Sequence, residues 1–191
     1  MARYGMLIDA SKCVGCFACR VACQMQNSLD VHESFIHYEE IESGSFPIVR
    51  NEHIPIACMH CEDAPCQAVC PTAATYTNAD GVVLVDHSRC IGCKYCMTAC
   101  PYQARVQNKA TGVAEKCRFC VFTGGGGNNG SGSGSGSGSE PKPACVDTCI
   151  TGARIFGDLD DPASDVAKAI IKTNAKPIAG DLTKVKVFYV R

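Results

Sequence analysis

The chain has 191 residues, a formal net charge of -1, 46% hydrophobic and 19% charged residues, a globular composition. The even charge balance excludes a nucleic-acid binder, which needs a basic excess. No apolar run approaches the roughly 18 residues that a membrane-spanning helix requires.

The first six residues, Met1-Ala-Arg-Tyr-Gly-Met, offer no apolar core and no small-residue cleavage site, so they are not expected to act as a signal peptide. No twin-arginine pair is present. The first predicted element is a strand at Met6–Asp9. A first group of cysteines follows at Cys13, Cys16, Cys19 and Cys23. Residues 24–57 read as a longer connection with weak pattern. A second group lies at Cys58, Cys61, Cys66 and Cys70. Ala74–Thr77 and Val82–Asp86 flank Asn78-Ala79-Asp80-Gly81 and predict a hairpin. Cys90, Cys93, Cys96 and Cys100 form the third group. Cys117, Cys120, Cys145 and Cys149 form the fourth, and all 16 cysteines are then used. Within this group, residues 124–139 contain only Gly, Asn and Ser, which predicts a flexible loop. Asp161-Pro162 reads as a helix start, cap then first-turn proline, with the helix running to about Thr173. A late strand is expected over Lys184–Val190.

The spacing of the cysteines decides their chemistry. The first and third groups have the spacing C-x2-C-x2-C-x3-C, which in bacterial ferredoxins binds 4Fe–4S clusters. Three thiolates two residues apart can wrap one cubane in a tight loop. The cysteine after x3 is expected to start a helix, point the other way and ligate the other cluster of a pair. Disulfides between near-adjacent cysteines would be strained. Four cysteines within eleven residues is not a usual zinc spacing. The chain also repeats itself. Leu7–Cys16 aligns with Leu84–Cys93, and Ala74, Ala104 and Ala153 each stand four residues after the last cysteine of a group. Such repetition of a ligand unit indicates a duplicated ferredoxin.

Buried anionic clusters need compensation. Lys12, Arg20, Arg89, Lys94, Arg105, Lys116, Arg118 and Arg154 are the candidate cations, and Gly15 and Gly92 are expected to let backbone N–H groups approach sulfur. Metal–thiolate binding should supply much of the folding free energy. His60, inside the second group, reads as an exposed or second-shell histidine, because every cysteine ligand is present. No Ser/His/Asp set, phosphate loop or nucleotide fingerprint appears. No catalytic residue and no direct small-molecule substrate are therefore expected.

Several segments carry a family resemblance: Lys12-Cys13-Val14-Gly15-Cys16, the Cys-Pro pairs at Cys70 and Cys100, Pro143-Ala144-Cys145-Val146-Asp147-Thr148-Cys149, and Gly157–Pro162. With four cysteine groups in this order, the chain resembles the iron–sulfur electron-transfer subunits of the molybdopterin oxidoreductase superfamily, most like the polysulfide, thiosulfate and arsenate reductase small subunits. It departs from the pattern at Ile150, where a proline often follows the last cysteine, and in its long Gly/Ser loop.

The resemblance implies an α+β fold, a duplicated bacterial-type 2[4Fe-4S] ferredoxin with short hairpins and helices around four cubane clusters. One cluster domain would comprise residues 1–57 and 110–157, a second residues 58–109, with a helix–strand extension at 158–191. Four ligand sets are implied: Cys13, Cys16, Cys19 and Cys149; Cys58, Cys61, Cys66 and Cys100; Cys90, Cys93, Cys96 and Cys70; Cys117, Cys120, Cys145 and Cys23. The implied role is non-catalytic. Single electrons would pass between a molybdenum or tungsten bis-pterin catalytic subunit and an integral-membrane, quinone-binding anchor subunit. The chain would sit on the membrane through these partners, on the periplasmic or extracytoplasmic face. A free-standing soluble polyferredoxin is the alternative.

Overall fold

A computed structural model describes residues 2–121, 142–180 and 182–191. The Gly/Ser stretch 124–139 lies outside the described residues.

A three-stranded sheet ties the two ends of the chain together. Strand β1, Tyr4–Asp9, lies in its centre and buries Met6, Leu7 and Ile8. A near-continuous apolar run suits a strand flanked on both sides. Two further strands, called β8 and β9 by their place in sequence order, flank it. Strand β8, Arg154–Asp158, pairs with β1 antiparallel, with Leu7 opposite Ile155. Strand β9, Val187–Val190, pairs with it in parallel, with Leu7 opposite Phe188. The last strand thus begins later than the pattern suggests. Lys184 sits at a φ of 47°, a left-handed conformation that ends extended structure. Lys186 then donates its N–H to the Met59 carbonyl at 2.9 Å.

Residues 24–57 are not a loose connection. They contain a long hairpin of strands β2, His37–Ser45, and β3, Ile48–Ile56, paired from His37 opposite Ile56 to Ser45 opposite Ile48. Its base is core, with Ile54 and Ile56 buried beside Phe35 and Ile36. Residues 39–51 are all exposed. Because both faces of that distal part meet solvent, no apolar alternation marks it in the sequence.

Each cysteine group ends in a short helix. These are α1, Ala18–Gln26; α2, Pro65–Ala68; α3, Tyr95–Thr98; and α4, Ala144–Asp147. In all four, the third cysteine (Cys19, Cys66, Cys96, Cys145) is the second helical residue. The fourth cysteine does not start the helix as expected. Cys23 lies inside α1, and Cys70, Cys100 and Cys149 stand two residues past their helices. Third and fourth cysteines are four residues apart, so they share one side of the turn yet are separated along its axis.

Two small hairpins close the middle of the chain. Strands β4, Thr75–Thr77, and β5, Val83–Val85, are paired as the sequence indicates, and β6, Val106–Gln107, pairs with β7, Ala114–Glu115. The last helix, α5, spans Asp165–Thr173 and starts later than Asp161-Pro162 implies. Ser164 is its cap, its Oγ accepting the Ala167 N–H at 3.2 Å, the interaction expected of an N-cap serine. Asp161 instead forms a preceding turn, accepting the Ala163 N–H at 2.8 Å. Residues after 158 are not an appendage, since β9 completes the central sheet.

Candidate metal centres

The cysteines line four cavities. Cys13, Cys16, Cys19 and Cys149 line the first. Cys23, Cys117, Cys120 and Cys145 line the second, together with Cys58. The third holds Cys58, Cys61, Cys66 and Cys100. The fourth holds Cys70, Cys90, Cys93 and Cys96. Each cavity thus holds three cysteines of one group and one that crosses from another, and in the second cavity Cys58 is shared with the third. No cysteine forms a disulfide. Among the described residues, no three His, Cys, Asp or Glu side chains converge closely enough to hold a single metal ion.

The cavities form a succession through shared walls. Arg154 lines both the first and the second. Cys58 lines both the second and the third. Arg105 lines the third and donates its Nη1 to Thr75 Oγ1, a wall residue of the fourth, at 3.3 Å. Exposure follows position only in part, since Cys19 and Cys96 of the terminal cavities are buried. Cys16 and Cys93, in the two terminal cavities, are exposed, whereas Cys23, Cys145, Cys58, Cys61 and Cys66 of the inner two are buried.

Backbone geometry at the crossing cysteines repeats. The residue three past the cysteine is left-handed in three groups: Ala73 (φ 49°), Gln103 (φ 50°) and Gly152 (φ 62°). This turn aims amides at sulfur. Cys70 receives the N–H groups of Thr72, Ala74 and Thr75, and Cys149 receives those of Thr151, Ala153 and Arg154. Burial pushes the Cys70 thiol up, but these donors and the Thr72 hydroxyl outweigh it and bring it down to about 7. The Cys149 thiol is lowered in the same way, against the upward push of burial. The alanines that repeat four residues past the cysteine, Ala74, Ala104 and Ala153, are all buried.

The position before the second cysteine of each group is also left-handed: Gly15 (φ 64°), His60 (φ 46°), Gly92 (φ 67°) and Phe119 (φ 53°). Glycine adopts this conformation readily, whereas other residues are strained in it by about 1–3 kcal/mol. Glycine stands at this position in the first and third groups. At Gly15 a side chain would also meet the His53 ring at 2.5 Å, and at Gly92 the Gly112 carbonyl at 2.5 Å. The inner groups carry rings instead, and these rings stack on each other, centroids 3.8 Å apart. His60 is therefore not exposed. It is wholly buried, and its Nδ1 accepts the Val83 N–H at 3.2 Å. Burial, with Lys116, Lys186 and Arg105 nearby, holds its pKa well below the ordinary imidazole value, so it is a neutral filler of the joint. The sign available in the sequence was its alignment with Gly15 and Gly92.

The inner cavities resist bare thiolates. Burial, then the Cys145 and Cys120 sulfurs, push the Cys23 thiol up to about 12. Burial pushes Cys145 and Cys61 up to about 11. Four such thiols lose their protons together only around a positively charged core. Of the eight candidate cations, Arg105, Lys116 and Arg154 are buried. Lys116 donates to the carbonyls of Val83 and Cys117. Lys12 pairs with Asp9 at 3.0 Å and Arg118 with Glu115 at 3.3 Å. Arg89 and Lys94 are exposed and Arg20 half-buried. Sequence reasoning missed polar groups brought in from afar. Tyr38 places its hydroxyl 2.9 Å from Cys19 Sγ, Thr183 hydrogen-bonds Cys61, and buried Lys186 donates to the Gly81 carbonyl at 2.6 Å.

Residues 12–74 and 49–130 each match a family described as a 4Fe-4S dicluster domain. A tetrathionate reductase subunit of Salmonella typhimurium is 40% identical over 86% of this chain, and the match spans 62% of that relative's length. The thiosulfate reductase electron transfer subunit of Salmonella typhi is 42% identical over 83% of this chain and 78% of its own length. A polysulfide reductase chain of Wolinella succinogenes is 38% identical over 98% of this chain and 94% of its own. Shared dicluster domains and 38–42% identity establish the relationship: the chain thus belongs to the family of 4Fe–4S iron–sulfur electron-transfer subunits of respiratory reductases.

Proposed function

We propose that the chain holds four 4Fe–4S clusters, one in each four-cysteine cavity, and relays single electrons along them. The electrons pass between a molybdenum or tungsten bis-pterin catalytic subunit and a quinone-binding membrane anchor subunit. The chain itself makes and breaks no substrate bond. The observation that carries this reading is the succession of four cavities, each lined by at least four thiols and joined by shared walls. Four soft sulfur donors around a shared space fit a cubane. They fit a lone zinc ion poorly, since no compact single-ion site forms among the described residues.

When bound, each cluster supplies one-electron redox chemistry. The chain's own residues do the rest. The cysteines ligate, as the sets Cys13/Cys16/Cys19/Cys149, Cys23/Cys117/Cys120/Cys145, Cys58/Cys61/Cys66/Cys100 and Cys70/Cys90/Cys93/Cys96. Amides after Cys70 and Cys149 donate to sulfur. The buried His60–Phe119 stack excludes water from the centre of the row. Exposed Cys16 and Cys93 mark the two ends where electrons enter and leave. No helix among the described residues is long and apolar enough to cross a membrane. In this reading the chain sits on the extracytoplasmic face through the anchor subunit.

Metal analysis of the complex, purified without oxygen through a tag on this chain, tests the reading. About 16 iron atoms per copy are expected from this subunit, four clusters of four, with acid-labile sulfide and with molybdenum or tungsten. The same iron without either heavier metal would indicate a free-standing polyferredoxin. A colourless protein without sulfide would overturn the cluster assignment.

A further inference from the structure

Each pair of cavities encloses one arginine. Arg154, five residues after Cys149, is 4% exposed and lines both the Cys13 cavity and the Cys23 cavity. Its Nη1 lies 3.5 Å from Met6 Sδ and 4.0 Å from Cys145 Sγ. Arg105, five residues after Cys100, is 5% exposed. Its charge acts on Cys66 of the third cavity and Cys96 of the fourth, and its Nη1 donates to Thr75 Oγ1 on the wall of the fourth at 3.3 Å. Among the described residues, neither arginine pairs with a carboxylate. In both, Nη2 is buried without a hydrogen-bond partner. The two arginines occupy equivalent positions of the internal repeat, one per pair, and the residue equivalent to Arg105 in the partner unit is Thr75, which Arg105 contacts.

A guanidinium keeps its charge at any working pH. An uncompensated cation in a protein interior is strongly unfavourable. The anions facing these two are the thiolates of two cavities at once. A four-cysteine cluster carries about -2 when oxidised and about -3 when reduced. A neighbouring cation therefore stabilises the reduced form more than the oxidised form, and most strongly in a dry, low-dielectric setting.

We propose that Arg105 and Arg154 are shared counter-cations, each raising the reduction potentials of both clusters of its own pair. This inference rests on the four-cluster reading. It makes each pair an electrostatic unit in which one arginine favours uptake of an electron by either member. It also weakens the repulsion between two adjacent reduced clusters.

The test is a potentiometric EPR titration of the intact complex, with iron and sulfide measured in each sample. The variants are Arg105→Met, Arg154→Met, Arg105→Lys and Arg154→Lys. Signals are assigned with Cys23→Ser and Cys70→Ser. Arg105→Met is expected to lower the reduced-to-oxidised ratio at fixed potential about tenfold for the third- and fourth-cavity clusters. That corresponds to about 59 mV for a one-electron couple. The other pair should keep its wild-type ratios. Arg154→Met should do the converse, and each lysine variant should restore most of its shift. Fully loaded methionine variants without a shift would overturn the inference. So would an equal shift of all four clusters, or lysine variants as displaced as methionine. If a methionine variant takes up no iron while its lysine counterpart loads fully, the cation is required for assembly and the inference stands. Failure of the lysine variant too would assign the arginine a shape role and overturn it. Wild-type protein lacking iron and sulfide would instead sink the four-cluster reading itself.

Discussion

The two cavity pairs have the same ligand arrangement but are closed by different parts of the fold. The Cys58 and Cys90 pair draws its eight cysteines from residues 58–100. Two hairpins of two and three residues per strand close it. The Cys13 and Cys23 pair draws on residues 13–23 and 117–149. It is closed by the sheet β8–β1–β9, which sets Ile8 opposite Arg154. Closing a loop costs entropy that grows with its length. The long-range pair therefore depends on strands and a packed core, while the local pair is held mainly by its ligands and short turns.

Substitutions in the ligands, the core and a helix cap test this contrast. The largest effect is expected from cysteine loss. Cys23→Ser should remove the EPR signal of the Cys117 cavity while the cluster of the Cys13 cavity survives, and Cys70→Ser should do the same for the Cys90 cavity. Because the first pair also joins distant segments, Cys23→Ser should lower thermal stability more than Cys70→Ser. Equal losses in a melting experiment would remove the distinction between local and long-range closure.

Core truncation comes next. Ile54→Ala, at the buried base of the β2–β3 hairpin, should destabilise by about 2–5 kcal/mol in denaturant unfolding. Ile48→Ala, 75% exposed near its tip, should stay within about 0.5 kcal/mol of wild type. A large effect at Ile48 would mean that the tip is packed rather than free. The smallest effect is expected at the cap of α5, where Ser164→Ala should cost about 1 kcal/mol. Denaturant midpoints would measure it, and no change would show that β9, not α5, secures the end of the chain.

The parts legible in the sequence are those with local chemistry. The β4–β5 hairpin was visible through Asn78-Ala79-Asp80-Gly81. The repeated alanine four past each last cysteine marked Ala74, Ala104 and Ala153, all buried under the turn that aims amides at sulfur. The β2–β3 hairpin was not legible, because its exposed strands carry no alternation. The helix start was misplaced because Asp161 and Ser164 both have capping side chains, and only packing against the sheet selects Ser164. The reading of His60 as an exposed or second-shell histidine leaves its burial open, because that burial depends on Phe119, which lies 59 residues downstream.

Cysteine spacing alone carried the preference for iron–sulfur ligation and the duplicated unit, because a ligand loop is a short-range object. Which cations are buried and how the cavities follow one another became visible only in the folded molecule. Those features depend on contacts such as Arg154 beside Cys145 and His60 on Phe119. Residues far apart in the chain meet there only after the sheet has closed, and no local pattern encodes such a meeting.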